Sequence, residues 1–195
     1  MILFRHADPR FPFLWETADQ PAARWHGDGE GPVHYLSDTP DGAWAEFIRH
    51  EEIKDGEDVA TIRRALWAIE VENLPSEQPE LPEKVLTGDR ETYGSCRVEA
   101  RRWRERGTVG LVAPSAALVK GGAGGWRVDG GLQPASPRTG KVFILFGRRP
   151  DLVGWPSTIA GRPSEDLLAR VRHFRRQRAK ATRRAGAPRR SPGGR

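Results

Sequence analysis

The chain has 195 residues, of which 37% are hydrophobic and 30% charged, a length and composition typical of one globular domain. Its single cysteine, Cys96, excludes an internal disulfide, and no apolar run approaches the roughly 18 residues of a membrane span, so we expect a cytoplasmic protein outside the membrane. The net charge of +6 is unevenly distributed, because residues 170 to 195 hold eleven Lys and Arg and no acid, which leaves −5 on residues 1 to 169.

Two strands are expected in the first part of the chain. Met1–Arg5 is a short apolar run typical of a strand, whereas His6–Gln20 is rich in proline and aromatic residues and is expected to wind over the surface. Val33–Ser37 also predicts a strand, in which alternation places Tyr35 and His34 on opposite faces.

A helix should follow the second strand. Thr39 is a suitable N-cap, since its hydroxyl can accept from free amides, and Pro40 suits the first turn. The helix should end near Ile53, and Glu46 lies beside its apolar stripe, so the carboxylate can point into a cleft. The stripe consists of Ala43, Trp44, Phe47 and Ile48.

The rest of the chain predicts three more strands and two more helices. The expected strands are Ala65–Glu72, Val109–Ser115 and Lys141–Phe146, and the expected helices are Glu91–Arg106 and a last one from Ser164 to about Arg178. The connection Leu74–Pro82 is rich in proline, and Gly121–Gly140 is expected to be a flexible loop. We therefore predict a single α+β domain over residues 1–178, with a mixed β-sheet core and flanking helices, followed by a basic, disordered tail over residues 179–195.

Several familiar sites are excluded by spacing. Gly121–Gly125 lacks the third glycine of a dinucleotide-binding loop, and Gly140 with Lys141 lacks the earlier glycine of a P-loop. His50–Lys54 begins like a zinc-protease helix but has lysine at the second ligand position, so we predict no metal. Cys96 has no evident base that would make it a nucleophile.

Four short motifs together resemble the RES domain, a family named for an arginine, a glutamate and a serine. The resemblance extends from about Arg5 to Leu118. The motifs are Arg24-Trp25, Val33-His34-Tyr35-Leu36-Ser37, Gly42-Ala43-Trp44-Ala45-Glu46 and Ala113-Pro114-Ser115-Ala116.

This resemblance implies a fold similar to that of ADP-ribosyltransferase toxins. It also implies an enzyme that takes NAD+ as substrate and cleaves its nicotinamide–ribose bond, as a glycohydrolase or a phosphorylase. Family members are typically the toxins of bacterial toxin–antitoxin pairs, so the resemblance implies an antitoxin partner of the Xre type. A homo-oligomer is left open.

The resemblance also implies residue roles that agree with the chemistry of the side chains. Glu46 would stabilise the positive charge that develops on the ribose, and Arg24 would hold the pyrophosphate through bidentate hydrogen bonds. Tyr35 would offer its ring face to a base and its hydroxyl to the ribose or the carboxamide, and Ser115 would hydrogen-bond the same nicotinamide-ribose portion. Arg5 is the preferred additional phosphate contact, although it or Arg49 could equally be an ordinary charge.

Two alternative functions remain open. The first is transfer of ADP-ribose to a protein. The second is a noncatalytic binding protein whose basic tail contacts nucleic acid or an acidic partner. The missing family asparagines, one of which is replaced by His26, favour the second alternative, whereas the retention of all four signature positions opposes it.

Overall fold

The computed structural model describes residues 1–175, so the expected tail at residues 179–195 lies outside the described residues. The strands in this range are β1 (Ile2–Ala7), β2 (Val33–Ser37), β3 (Arg64–Glu70), β4 (Gly110–Pro114), β5 (Trp126–Val128), β6 (Leu132–Pro134), β7 (Lys141–Phe146) and β8 (Val153–Gly161). The α-helices are α1 (Pro40–His50), α2 (Gly56–Thr61), α3 (Glu83–Leu86) and α4 (Tyr93–Glu105), with 3₁₀ helices at Arg90–Thr92 and Glu165–Arg170. None of the described helices combines the length and apolar composition needed to cross a membrane.

Six of the strands form one sheet in the order β4–β7–β2–β1–β3–β8, and β5 and β6 form a separate hairpin. The α+β class, the single sheet core and the flanking helices are confirmed. The sheet was expected to be mixed, but every pairing among the described strands is antiparallel. The reason is that β2 and β3, which run in the same direction, are not neighbours. The connection through α1 and α2 places them on opposite sides of β1, and each pairs with β1 in the antiparallel sense.

The sheet is nearly split between its two central strands. β1 pairs with β3 along all six of its residues, whereas β1 and β2 are joined only through Phe4 and Ser37. Beyond that pair, Arg5 and His6 on β1 have no partners on β2. The backbone therefore opens a gap in the middle of the sheet, on the side of Tyr35.

Two helices cover the same face of the sheet on either side of this gap. α1 begins at the expected N-cap, where the Thr39 hydroxyl accepts from the Gly42 amide at 3.0 Å. α1 packs over β1 and β3 with Trp44, Ile48 and Leu66. α4 packs over the β2, β4 and β7 side, and its cluster includes Trp25, Val33, Cys96, Leu111 and Ile144. A third apolar cluster, which includes Leu3, Leu36, Ile69 and Leu145, covers the opposite face.

Several elements differ from the sequence expectations. The predicted loop Gly121–Gly140 contains the hairpin β5–β6, and the edge strand β8 and the short helices α2 and α3 were not predicted. The predicted last helix was wrong over its described part: a 3₁₀ helix ends at Arg170, and Val171 forms a β-bridge with Leu118. This long-range pairing draws the chain into an extended path that the local capping signal could not reveal.

Candidate functional site

A cleft lies where β1 and β2 part, between the clusters under α1 and α4. Its volume is about 190 Å³. Four of the five predicted site residues line it, and Ser115 does not. The polar side chains in its wall are Arg5, His6, Arg24, Tyr35, Ser37, Glu46, Arg49, His50 and Tyr93.

Glu46 presents a carboxylate to the cleft from the middle of α1, as predicted. Its side chain is 23% exposed. One oxygen, Oε2, lies 3.7 Å from His50 Nε2, one helical turn further along the same face. The other, Oε1, accepts a long hydrogen bond of 3.5 Å from Ser115 Oγ. The carboxylate therefore retains most of its acceptor capacity for a ligand.

Ser115 lies behind Glu46 instead of at the cleft surface. Its hydroxyl oxygen accepts from the backbone amides of Ala117 and Leu118, each at 3.2 Å, and is buried. Its neighbours Pro114 and Ala116 line the cleft instead. The contacts of Ser115 are those of a residue that orients the carboxylate and closes the turn after β4.

Arg24 lines the cleft, but much of its guanidinium is already bonded to protein. Nη1 donates to Val85 O at 3.2 Å and to Thr92 Oγ1 at 3.1 Å, and Nη2 donates to Gly88 O at 2.7 Å. The guanidinium carbon lies 4.5 Å from the centre of the Tyr93 ring. These bonds fix the group in place and use three of its five N–H donors.

The Tyr35 hydroxyl is held by the loop that carries Arg24. It accepts from the Trp25 amide at 3.1 Å and lies 2.9 Å from His26 Nδ1. His26 Nε2 lies 3.0 Å from Pro21 O, and because a carbonyl can only accept, Nε2 carries the proton. Burial lowers the pKa of His26 and keeps the ring neutral, so Nδ1 accepts the Tyr35 proton. Because its proton is already donated, the Tyr35 hydroxyl can act towards a ligand only as a hydrogen-bond acceptor.

Arg5 lines the cleft without an ion-pair partner among residues 1–175. Its Nη1 is buried and has no hydrogen-bond partner within the same residues. Burial lowers the pKa of Arg5 to about 10, which leaves the guanidinium charged at neutral pH. A buried, charged donor without a partner is costly, so this position is suited to an anion from outside the chain.

Arg49 is buried more completely and has many partners. Its Nη1 donates to Ala116 O and to Arg172 O, the latter at 3.0 Å, and its Nη2 donates to Gly88 O at 2.8 Å. Asp89 Oδ1 lies 3.4 Å from Nη2. Burial lowers the pKa of Arg49, and the nearby Glu46 raises it. This residue anchors α1 to three other segments.

The cleft wall thus holds three guanidinium groups against one carboxylate, although the chain body is acidic. This local excess of positive charge favours an anionic ligand. In residues 1–175, no three His, Cys, Asp or Glu side chains gather closely enough to hold a metal ion.

Sequence reasoning gave no role to three residues of this site. His50 could have been found from its position four residues after Glu46 on one helix face. His26 could have been noticed as the residue directly after Arg24 and Trp25. Tyr93 had no local signal, because its contact with Arg24 joins segments far apart in the chain.

Comparison with known proteins identifies the family of the chain. The sequence model of the RES domain matches residues 2–128, well over half of the chain and a range that contains every residue discussed as lining the cleft. A comparison with curated protein sequences gave no match. The protein therefore belongs to the RES domain family.

Proposed function

We propose that the protein binds NAD+ in this cleft and cleaves the bond between nicotinamide and ribose. The observation that carries the proposal is that Glu46 and Arg5 line one cleft, and that Arg5 Nη1 has no hydrogen-bond partner within residues 1–175. Membership of the RES family, which is associated with action on NAD+, supports it.

The size of the cleft suits one end of the dinucleotide. An apolar cavity of roughly 150 Å³ can hold a benzene molecule, and the cleft here measures about 190 Å³. It therefore has room for the nicotinamide ring and the start of its ribose. The pyrophosphate and adenosine would extend from the mouth.

The charged residues of the cleft wall suit the pyrophosphate of NAD+ and the positive charge that develops on its nicotinamide ribose. Arg5 has a free, buried donor for a phosphate oxygen, and we assign it the leading phosphate contact, with Arg24 contributing its remaining donors. Glu46 would then face the ribose. Ser115 supports Glu46 from behind and is proposed as a positioning residue, not as a ligand contact.

The reaction follows from these placements. When the C1′–N1 bond breaks, its electron pair goes to the pyridine nitrogen and neutral nicotinamide leaves. The positive charge that remains on the ribose is stabilised by the Glu46 carboxylate. An acceptor oxygen from water or phosphate then bonds to C1′, and its proton passes to Glu46 or to the nearby His50.

The test is to incubate the purified protein with NAD+, with and without phosphate, and to measure nicotinamide release by chromatography. We expect release by the wild type and a loss of about 100-fold or more in Glu46→Gln. Glu51→Gln is the matched control, because Glu51 follows the same helix and is exposed. No release from the folded wild type would overturn the proposal.

The identity of the second product distinguishes the possible acceptors. ADP-ribose identifies water and ADP-ribose phosphate identifies phosphate, whereas label from NAD+ on a macromolecule identifies protein ADP-ribosylation. Binding of nucleic acid that disappears on deletion of residues 179 to 195, without nicotinamide release, identifies the noncatalytic alternative.

The family association also leads us to propose that the protein is a toxin with an antitoxin partner of the Xre type. Expression of the wild type should then arrest growth, and expression of Glu46→Gln should not. Rescue by the product of a neighbouring gene would identify the partner.

A further inference from the structure

The last described residues, Val171–Arg175, form an extended segment that crosses the end of α1 next to the cleft. Val171 bridges to Leu118, and the Arg172 amide donates to Ala117 O at 2.6 Å. The carbonyl of Arg172 accepts from Arg49 Nη1 at 3.0 Å. The segment is therefore docked by backbone hydrogen bonds, although it lies well beyond residues 2–128 that match the family.

Phe174, in this segment, packs against charged groups and not against the apolar core. Its ring centre lies 4.4 Å from the Arg49 guanidinium carbon and 4.6 Å from that of Arg90. The His50 ring packs against it in a T-shaped arrangement, with 5.9 Å between ring centres. Phe174 is not part of the described apolar clusters, so core packing does not account for its position.

The two cleft residues that Phe174 contacts both act near Glu46. His50 Nε2 lies 3.7 Å from the carboxylate, and Glu46 is the main charge that favours the protonated form of Arg49. An arginine over an aromatic face is held in a defined plane by the attraction between the cation and the ring. The ring of Phe174 thus adds a packing contact to the hydrogen bonds that already hold the Arg49 guanidinium.

A second contact ties the segment to the other side of the site. The Arg175 amide donates to Asp89 Oδ2 at 3.4 Å, and Asp89 Oδ1 lies 3.4 Å from Arg49 Nη2. Gly88, the preceding residue, accepts from both Arg24 and Arg49. The segment, the Gly88–Asp89 turn and the two arginines form one connected network.

We propose that Val171–Arg175 is a structural part of the cleft and that Phe174 is a positioning residue that holds Arg49 and His50 in place for ligand binding. The effect on turnover rests on the proposed function, but the effect on anion binding does not. Arg49 shares the Gly88 carbonyl with Arg24, one of the proposed phosphate contacts, so a displaced Arg49 would also disturb the binding of a pyrophosphate-containing nucleotide.

The test compares substitutions that keep either the volume or the aromatic face of Phe174. Phe174→Leu keeps apolar volume and removes the face, so we expect KM for NAD+ to rise about tenfold with kcat within about threefold. Phe174→Tyr keeps the face and should stay within about twofold of the wild type. Phe11→Leu is the matched control, because Phe11 also lies near a guanidinium, that of Arg10 at 5.6 Å, but is exposed and does not line the cleft.

Equal behaviour of Phe174→Leu and Phe174→Tyr would overturn the proposal, since a purely space-filling role would not distinguish them by KM. If the wild type does not cleave NAD+, the proposed function fails, and the positioning role is measured through the Kd for inorganic pyrophosphate by calorimetry. A Kd raised by Phe174→Leu and not by Phe174→Tyr supports the role. An unchanged Kd, or no binding by the wild type, overturns it.

Discussion

Arg24 and Arg49 donate to the same carbonyl oxygen, that of Gly88, at 2.7 and 2.8 Å. Arg24 comes from the loop before β2 and Arg49 from α1, so one backbone oxygen joins two walls of the cleft to the turn after α3. Each hydrogen bond to a charged donor contributes roughly 1.5–3 kcal/mol. The position of Gly88 therefore sets the separation of two of the three guanidinium groups in the site.

Gly88→Ala should disturb both arginines together. A Cβ at this position would lie 2.5 Å from Thr92 Cγ2 and 2.7 Å from Lys84 O, so the turn must shift, at a cost of about 1–3 kcal/mol in the free energy of unfolding. We also expect a weaker affinity for NAD+. Gly94→Ala is the control: no atom lies within 4 Å of a Cβ there, and in α4 it should raise stability by about 0.5–1 kcal/mol. Urea denaturation measures the free energy of unfolding of both variants. Equal values for Gly88→Ala and Gly94→Ala would contradict the prediction.

Tyr35→Phe should loosen the loop that carries Arg24. The change removes the acceptor of the Trp25 amide and the donor to His26 Nδ1, leaving buried polar atoms unsatisfied at a cost of about 1–3 kcal/mol. Tyr93→Phe is the matched control within the cleft, because the Tyr93 hydroxyl makes no hydrogen bond with residues 1–175 while its ring still faces Arg24. The temperature of thermal unfolding should be clearly lower for Tyr35→Phe than for Tyr93→Phe. If both lose the same stability, the role assigned to the Tyr35 hydroxyl is wrong.

The elements that the sequence predicted are those with local signals. α1 begins at Thr39, where the capping side chain and the proline stand next to each other in the chain. β2 and β7 match their predicted bounds because each is a run of strand-forming residues without glycine or proline.

The missed elements depend on contacts that are distant in sequence. β8 contains Gly154 and Pro156 and ends at Gly161, and its pairing with β3 shifts register twice, so it has no regular alternation. In the site, the four motif positions were recognisable from the resemblance. The sequence could not show that Arg24 donates to Gly88 or that Arg5 Nη1 has no partner in residues 1–175. Both depend on which carbonyl or carboxylate the fold brings near each guanidinium.

Acid should destabilise the protein through His34. This residue is fully buried and bonded to Gly147 O at 3.0 Å, and burial, with Arg5 and Arg149 nearby, lowers its pKa to about 4. The unfolded chain takes up this proton near pH 6.5 and the folded chain only near 4. The contribution of His34 to the free energy of unfolding is therefore fully present above about pH 6.5. It falls as the pH drops towards 4, by roughly 3 kcal/mol in total.

His34→Gln should remove this part of the pH dependence. An amide can still donate to Gly147 O but does not titrate, so the stability difference between wild type and variant should shrink between pH 7 and pH 4.5. The variant should retain a slope from His6, whose pKa is lowered to about 3 by burial and by the charges of Arg64 and Arg5. Urea denaturation at several pH values gives the comparison. Parallel curves for the two proteins would show that His34 is not the group responsible.

Arg5→Met should separate stability from ligand binding. Arg5 is partly buried and its Nη1 is a buried atom without a partner in residues 1–175, so replacing it with an apolar side chain of similar length removes a desolvation cost and should leave the free energy of unfolding unchanged or raise it by up to about 2 kcal/mol. The same change should raise KM for NAD+, or the Kd for pyrophosphate, more than tenfold. Arg49→Met is the contrast, because it deprives the carbonyls of Ala116, Gly88 and Arg172 of a charged donor and should cost about 3 kcal/mol or more. Equal destabilisation by the two variants would mean that Arg5 is bonded within the free protein, and the assignment of the phosphate contact to Arg5 would fall with that result.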